Sequence, residues 1–135
     1  MNRSLIMKTL AVVSAVFGVA MLLSPNGLMA IYGAEQMNGP GVYNSMLYGG
    51  CLLALAVMNW TASDSATAEA RHVVLGTLVA NVLGFVVALV RQVTDPDVPL
   101  TAWVNVLIFL AFAALFAYLE FAHEPAAKHA AGPAH

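Results

Sequence analysis

The stretch HVVLGTLVANVLGFVVALVRQ, His72 to Gln92, decides the fold. No charged residue separates Arg71 from Arg91. At 1.5 Å of rise per residue the apolar part of this stretch reaches roughly 27 Å as a helix, close to the thickness of a bilayer core. It is therefore read as a transmembrane helix. Within it Gly76, Ala80, Gly84 and Ala88 recur every fourth residue, a row of small side chains along which another helix backbone can approach closely. At ~100° of turn per residue, Thr77, Asn81 and Arg91 fall on one half of the helix, while Leu75, Leu78, Val79, Val82, Phe85, Val86, Leu89 and Val90 fall on the other. The first half is read as protein-facing and the second as lipid-facing.

Composition extends this reading to the whole chain. Its 135 residues are 61% hydrophobic and only 9% charged, with a mean hydropathy of +0.81. A soluble domain carries about 25% charged residues, so a soluble fold is excluded in favour of an all-α integral membrane four-helix bundle. A formal net charge of -2 offers no basic face for nucleic acid. The single cysteine, Cys51, rules out an intrachain disulfide and is read as a small packing residue.

Toward the N-terminus, a first span covers about 5–23, with Lys8 reaching the headgroups along its aliphatic stem. Its basic start also fits a signal peptide, but Leu28-Met29-Ala30 is a poor cleavage pattern, and a retained helix is expected. Ala11, Ala15 and Gly18 give it a small-residue face. Pro25-Asn26-Gly27 and Gly39-Pro40-Gly41 then break the pattern, and Leu28 to Tyr32 form a short amphipathic segment along the membrane surface. A second span covers about 42–62. Asn44, Tyr48, Cys51, Leu55 and Asn59 share one of its faces, Ser45 and Gly49 form a close-contact pair, and Tyr43 and Trp60 mark its ends. In the polar linker that follows, Asp64 or Ser65 is the expected cap of the next helix.

The opening stretch is the third span, about 72–92. Asp95-Pro96-Asp97-Val98-Pro99 forms a tight connector to a fourth, about 100–119, which makes the last two helices an antiparallel hairpin. Asn105, Phe109, Phe112 and Phe116 share a face of the fourth span that Glu120 continues. Residues 1–123 thus form one transmembrane domain. Residues 124–135 lack apolar periodicity and read as a disordered cytoplasmic tail. Val12 to Leu23 also aligns with Leu78 to Leu89, pairing Gly18 with Gly84, a hint of two repeated hairpins. Arg3, Lys8, Arg71 and Lys128 favour an N-in/C-in topology, which leaves Arg91 as the one basic residue near the outer face.

Depth then sorts the candidate site residues. Asn44, Arg91, Gln92 and Asn105 lie toward the outer leaflet, with Tyr43 and Trp103 close by, where amides and a guanidinium suit a lipid headgroup or a quinone. The competing reading pairs Arg91 with Asp95 or Asp97 at the helix end. Asn81 is deeper, and its amide requires a partner, either on a neighbouring helix or in a ligand. On the inner side, Glu120 can fasten the bundle to Lys8 or Arg71. His72, Glu120 and His123 are the only grouping of metal-ligand type, but they lack the H-E-x-x-H spacing, so no metal site is assigned. Cys51 and Ser45 have no histidine or aspartate at comparable depth, so no catalytic residue is assigned.

Two segments, PNGLMAIYG at Pro25 to Gly33 and LYGGCLLALAVMNW at Leu47 to Trp60, set in four short spans, resemble the small four-helix bacterial membrane proteins of the DoxX-like type. The resemblance implies a multi-pass protein of the bacterial inner membrane, and an accessory role in some cases tied to quinone or thiol redox systems. It carries no catalytic residue onto a numbered position. The expected role is a non-enzymatic accessory or structural subunit, in contact with membrane lipids and packed on itself or on a larger membrane complex. A binder or carrier of a small hydrophobic molecule such as a lipid or quinone is the first alternative, and an integral-membrane redox component the second.

Overall fold

A computed structural model describes residues 2–65 and 67–121. These residues form α1 (Arg3–Leu23), α2 (Pro25–Tyr32), α3 (Gly39–Ala62), α4 (Ala68–Thr94) and α5 (Trp103–Phe121), with a 3-10 turn at Leu100–Ala102 leading into α5. There is no strand among them. The expected tail, 124–135, lies outside the described residues, as do His123 and Lys128. Four segments are long and apolar enough to cross a membrane: α1, α3, α4 and Leu100–Phe121, with mean hydropathies of 2.2, 1.4, 2.6 and 2.2. Large apolar side chains such as Val16, Val57, Val87 and Leu107 stand exposed along all four. Lipid tails solvate such surfaces, whereas water would drive them together.

The helix boundaries follow from local chemistry. Asn2 accepts a hydrogen bond from the Ser4 amide at 3.0 Å to start α1, and Asn38 accepts one from Gly41 at 2.9 Å to start α3. Pro25 opens α2, where its missing N–H costs nothing. Gly33, at φ 70°, closes α2 in a left-handed conformation that suits glycine. The cap of α4 is neither Asp64 nor Ser65: Thr67 Oγ1 accepts from the Ala70 amide at 3.4 Å. Asp64 instead turns back to α1, accepting from Ser4 Oγ at 2.6 Å and from Lys8 Nζ at 2.8 Å.

The long helices pack as two intimate pairs, α1 with α3 and α4 with α5. Lys8 lies beside Trp60 and Asp64, while further along Gly18 meets Gly49. In the second pair, the Arg71 guanidinium holds the buried Glu120 carboxylate at 2.8 Å, and Gly84 meets the Phe109 ring. Of the two partners foreseen for Glu120, Arg71 is the one that binds it.

The pairs are joined mainly at one end. The core cluster there contains Ile6, Met7 and Leu10 of α1, Val74 and Leu78 of α4, and Phe112, Phe116 and Leu119 of α5. Just beyond it, Asn59 of α3 donates to Thr77 Oγ1 of α4 at 3.0 Å in a fully buried contact. Leu78, placed on the lipid side by the sequence pattern, is thus a core residue. The inward face of α4 runs through Ala70, Val74, Thr77, Leu78 and Asn81.

Candidate functional site

Beyond the core cluster a partly open cavity of about 130 Å³ lies between the two helix pairs. Leu10, Val13 and Phe17 of α1, Leu52 and Leu55 of α3, and Ile108 and Phe109 of α5 give it an apolar wall. Four polar side chains interrupt that wall: Ser14, Tyr48, Asn81 and Asn105, one from each long helix. No charged side chain lines it.

The position of Asn81 is fixed by its own helix. It is 3% exposed, and its side-chain nitrogen donates to the Thr77 carbonyl at 2.8 Å. A carbonyl only accepts, so the atom beside it must be the amide nitrogen, and the side-chain oxygen Oδ1 is the group left at the cavity. Among the described residues nothing donates to that oxygen. Ser14, 4% exposed, likewise carries a hydroxyl with no hydrogen bond to any described residue. Neither atom is among the sealed, unpartnered polar atoms of the described residues, so both are open to a polar partner that fills the cavity.

One residue of the cavity wall, Asn105, is bonded to α2. Tyr32 Oη donates to Asn105 Oδ1 at 2.9 Å, and Thr101 Oγ1 donates to the Tyr32 carbonyl. The chain after α2 is held by the Met37 amide, which donates to Asn26 Oδ1 at 2.8 Å. The expected surface segment is therefore a short helix tied to the start of α5. Burial pushes the Tyr32 hydroxyl above its ordinary pKa, which leaves it a neutral donor at physiological pH. With Asn105 Oδ1 engaged, its amide nitrogen has no bond to a described residue.

The four candidate ligand residues do not gather at one place. Asn81 and Asn105 line the cavity, whereas Asn44 is exposed near the start of α3 and Arg91 is 64% exposed in an ion pair with Asp95. A guanidinium near a helix C-terminus finds both a carboxylate and the favourable end of the dipole there. The interhelical amide bond anticipated for Asn81 is made instead by Asn59, through Thr77. Cys51 is exposed rather than packed.

The small-residue row on α4 divides in the same way. Gly84 abuts Phe109, Ala88 is half-buried, and Ala80 is exposed, while a Cβ on Gly76 would meet nothing within 4 Å. Each four-residue step advances the helix by ~40° beyond a full turn, so such a row leaves one contact face within two steps. Sequence reasoning passed over Ser14. Its signal was present: it is the one hydroxyl between Thr9 and Ser24 in an otherwise apolar run. Among the described residues no group of three His, Cys, Asp or Glu side chains could hold a metal ion.

No protein-family model, curated protein or solved structure matches this chain.

Proposed function

We propose that this chain is a non-enzymatic multi-pass membrane protein that binds a small hydrophobic molecule between its helix pairs. The observation that carries this reading is the cavity walled by apolar side chains from three helices, with the Ser14 hydroxyl and Asn81 Oδ1 free of any bond to a described residue. A concave apolar site with a few placed polar groups is the usual form of a small-molecule site. An engineered apolar cavity of about 150 Å³ in another protein takes up benzene, so a space of this size admits a ring.

The hairpins are antiparallel in this reading, with both ends of the chain in the cytoplasm. That is supported by Lys8 and Arg71 lying at the same end of the bundle as Asp64 and Glu120, while Arg91 lies at the other. A bacterial inner membrane is the location implied by the resemblance to DoxX-like proteins.

Purification from the membrane in mild detergent, followed by mass spectrometry of extracted small molecules, tests the reading. Wild type should carry a near-stoichiometric small molecule that Ser14→Leu, which fills the cavity, loses and Val16→Leu on the exposed face keeps. Equal content in all three preparations would refute it.

A second reading, an accessory subunit that packs against another membrane helix, is favoured by Gly76 and Ala80, which lie open on α4. It predicts that a cysteine placed at residue 80 crosslinks to a neighbouring chain in the native membrane, and that one at residue 78, in the core, does not.

A further inference from the structure

We propose that the cavity selects a small uncharged molecule of about one ring that carries a hydroxyl group, a ligand of phenol type, whose O–H donates to Asn81 Oδ1. This rests on the ligand-binding reading above and adds the chemistry of the ligand. Three features of the site define it. The absence of charged side chains from the wall excludes an ionised ligand, whose charge would be buried without a partner. The volume of about 130 Å³ suits a single ring.

The polarity of the two unbonded groups supplies the third. Asn81 Oδ1 only accepts, because the Thr77 carbonyl has fixed the nitrogen on the other side. A ligand with only a carbonyl would pair with the Ser14 hydroxyl or the Asn105 amide and leave Asn81 Oδ1 buried without a donor. A hydroxyl satisfies both sides: it donates to Asn81 and accepts from Ser14 or Asn105. Water fills the space poorly. About four waters at roughly 30 Å³ each would need two to four polar partners apiece, and the wall provides four polar side chains.

The test uses the full chain in detergent micelles and fluorine NMR, with protein-free micelles as the reference for partitioning. Two probes of nearly the same shape are compared: para-fluorophenol, which has the donor, and para-fluorotoluene, which has a methyl group in its place. Wild type should bind the phenol about tenfold more tightly, the effect of one buried hydrogen bond. Asn81→Leu should abolish that preference while still binding the toluene. Equal affinities in wild type, or a preference that survives Asn81→Leu, would overturn the proposal and leave the ligand-binding reading standing. Failure of both probes to bind wild type would overturn both. The wild-type comparison decides the matter alone if Asn81→Leu does not fold.

Discussion

Gly18 and Gly49 meet backbone to backbone: a Cβ on Gly49 would lie 2.8 Å from the Gly18 carbonyl oxygen, and a Cβ on Gly18 would lie 2.9 Å from that of Gly49. This crossing holds α1 against α3 without help from the hydrophobic effect, which lipid removes as a force between helices. Gly49→Ala must push backbone against backbone and should cost about 1–3 kcal/mol. Gly50→Ala, one residue on, meets nothing within 4 Å and should be neutral or gain up to about 1 kcal/mol of helix propensity. Unfolding in mixed micelles measures both.

Asn59 and Thr77 connect α3 to α4 through two hydrogen-bond distances, 3.0 Å from the amide nitrogen and 3.3 Å to the amide oxygen. Both residues are almost wholly buried. Thr77→Val keeps the shape but strands the Asn59 oxygen, and should lose about 1–2 kcal/mol. Thr77→Ser should restore most of it. A double-mutant cycle with Asn59→Leu isolates the coupling, and a coupling near zero would remove this bond from the account.

Tyr32 reaches from α2 to Asn105, a residue of the cavity wall. Tyr32→Phe removes the bond but keeps the ring. The fluorine probe should then exchange about three- to tenfold faster, with a smaller change in affinity, since closing an opening acts on both rates of exchange. Unchanged exchange would show that α2 does not limit access.

Asp64 is held below the usual carboxylate range by hydrogen bonds from Lys8 and then Ser4. A lowered folded-state pKa means that the contribution is complete above the ordinary aspartate value of about 3.9 and is lost as pH falls through the lowered value. Stability should therefore decline on acidification in that window. Asp64→Asn should abolish that part of the decline. Because the carboxylate is exposed, the effect is small and should shrink further in high salt.

The sequence made the spans legible because membrane helices are specified by length and hydropathy, which local composition records. It marked Gly18, Gly49 and Gly76 alike as contact residues, of which Gly18 and Gly49 meet each other and Gly76 meets nothing within the chain: small residues mark surfaces that permit close approach but do not say which helix approaches. Gly18 and Gly84, aligned by the internal similarity, each face the other helix of their own pair. Asn81 and Asn105 were recognisable as polar residues at depth. That Arg91 and Asn44 do not join them depends on helix rotation and on a carboxylate four residues away, and Ser14 matters only because α1 turns it toward α4 and α5. Those are properties of packing, which periodicity in one helix cannot determine.

Whether a small molecule sits between the helix pairs beside Ser14 and Asn81 is decided by the anomalous scattering of a brominated phenol in crystals grown from a lipid phase. One bromine position is expected inside the bundle, within contact of Phe109 and Leu52, and it should disappear in Ser14→Leu crystals. Bromine found only on the lipid-facing surfaces of the helices, in wild type as in the variant, would contradict it.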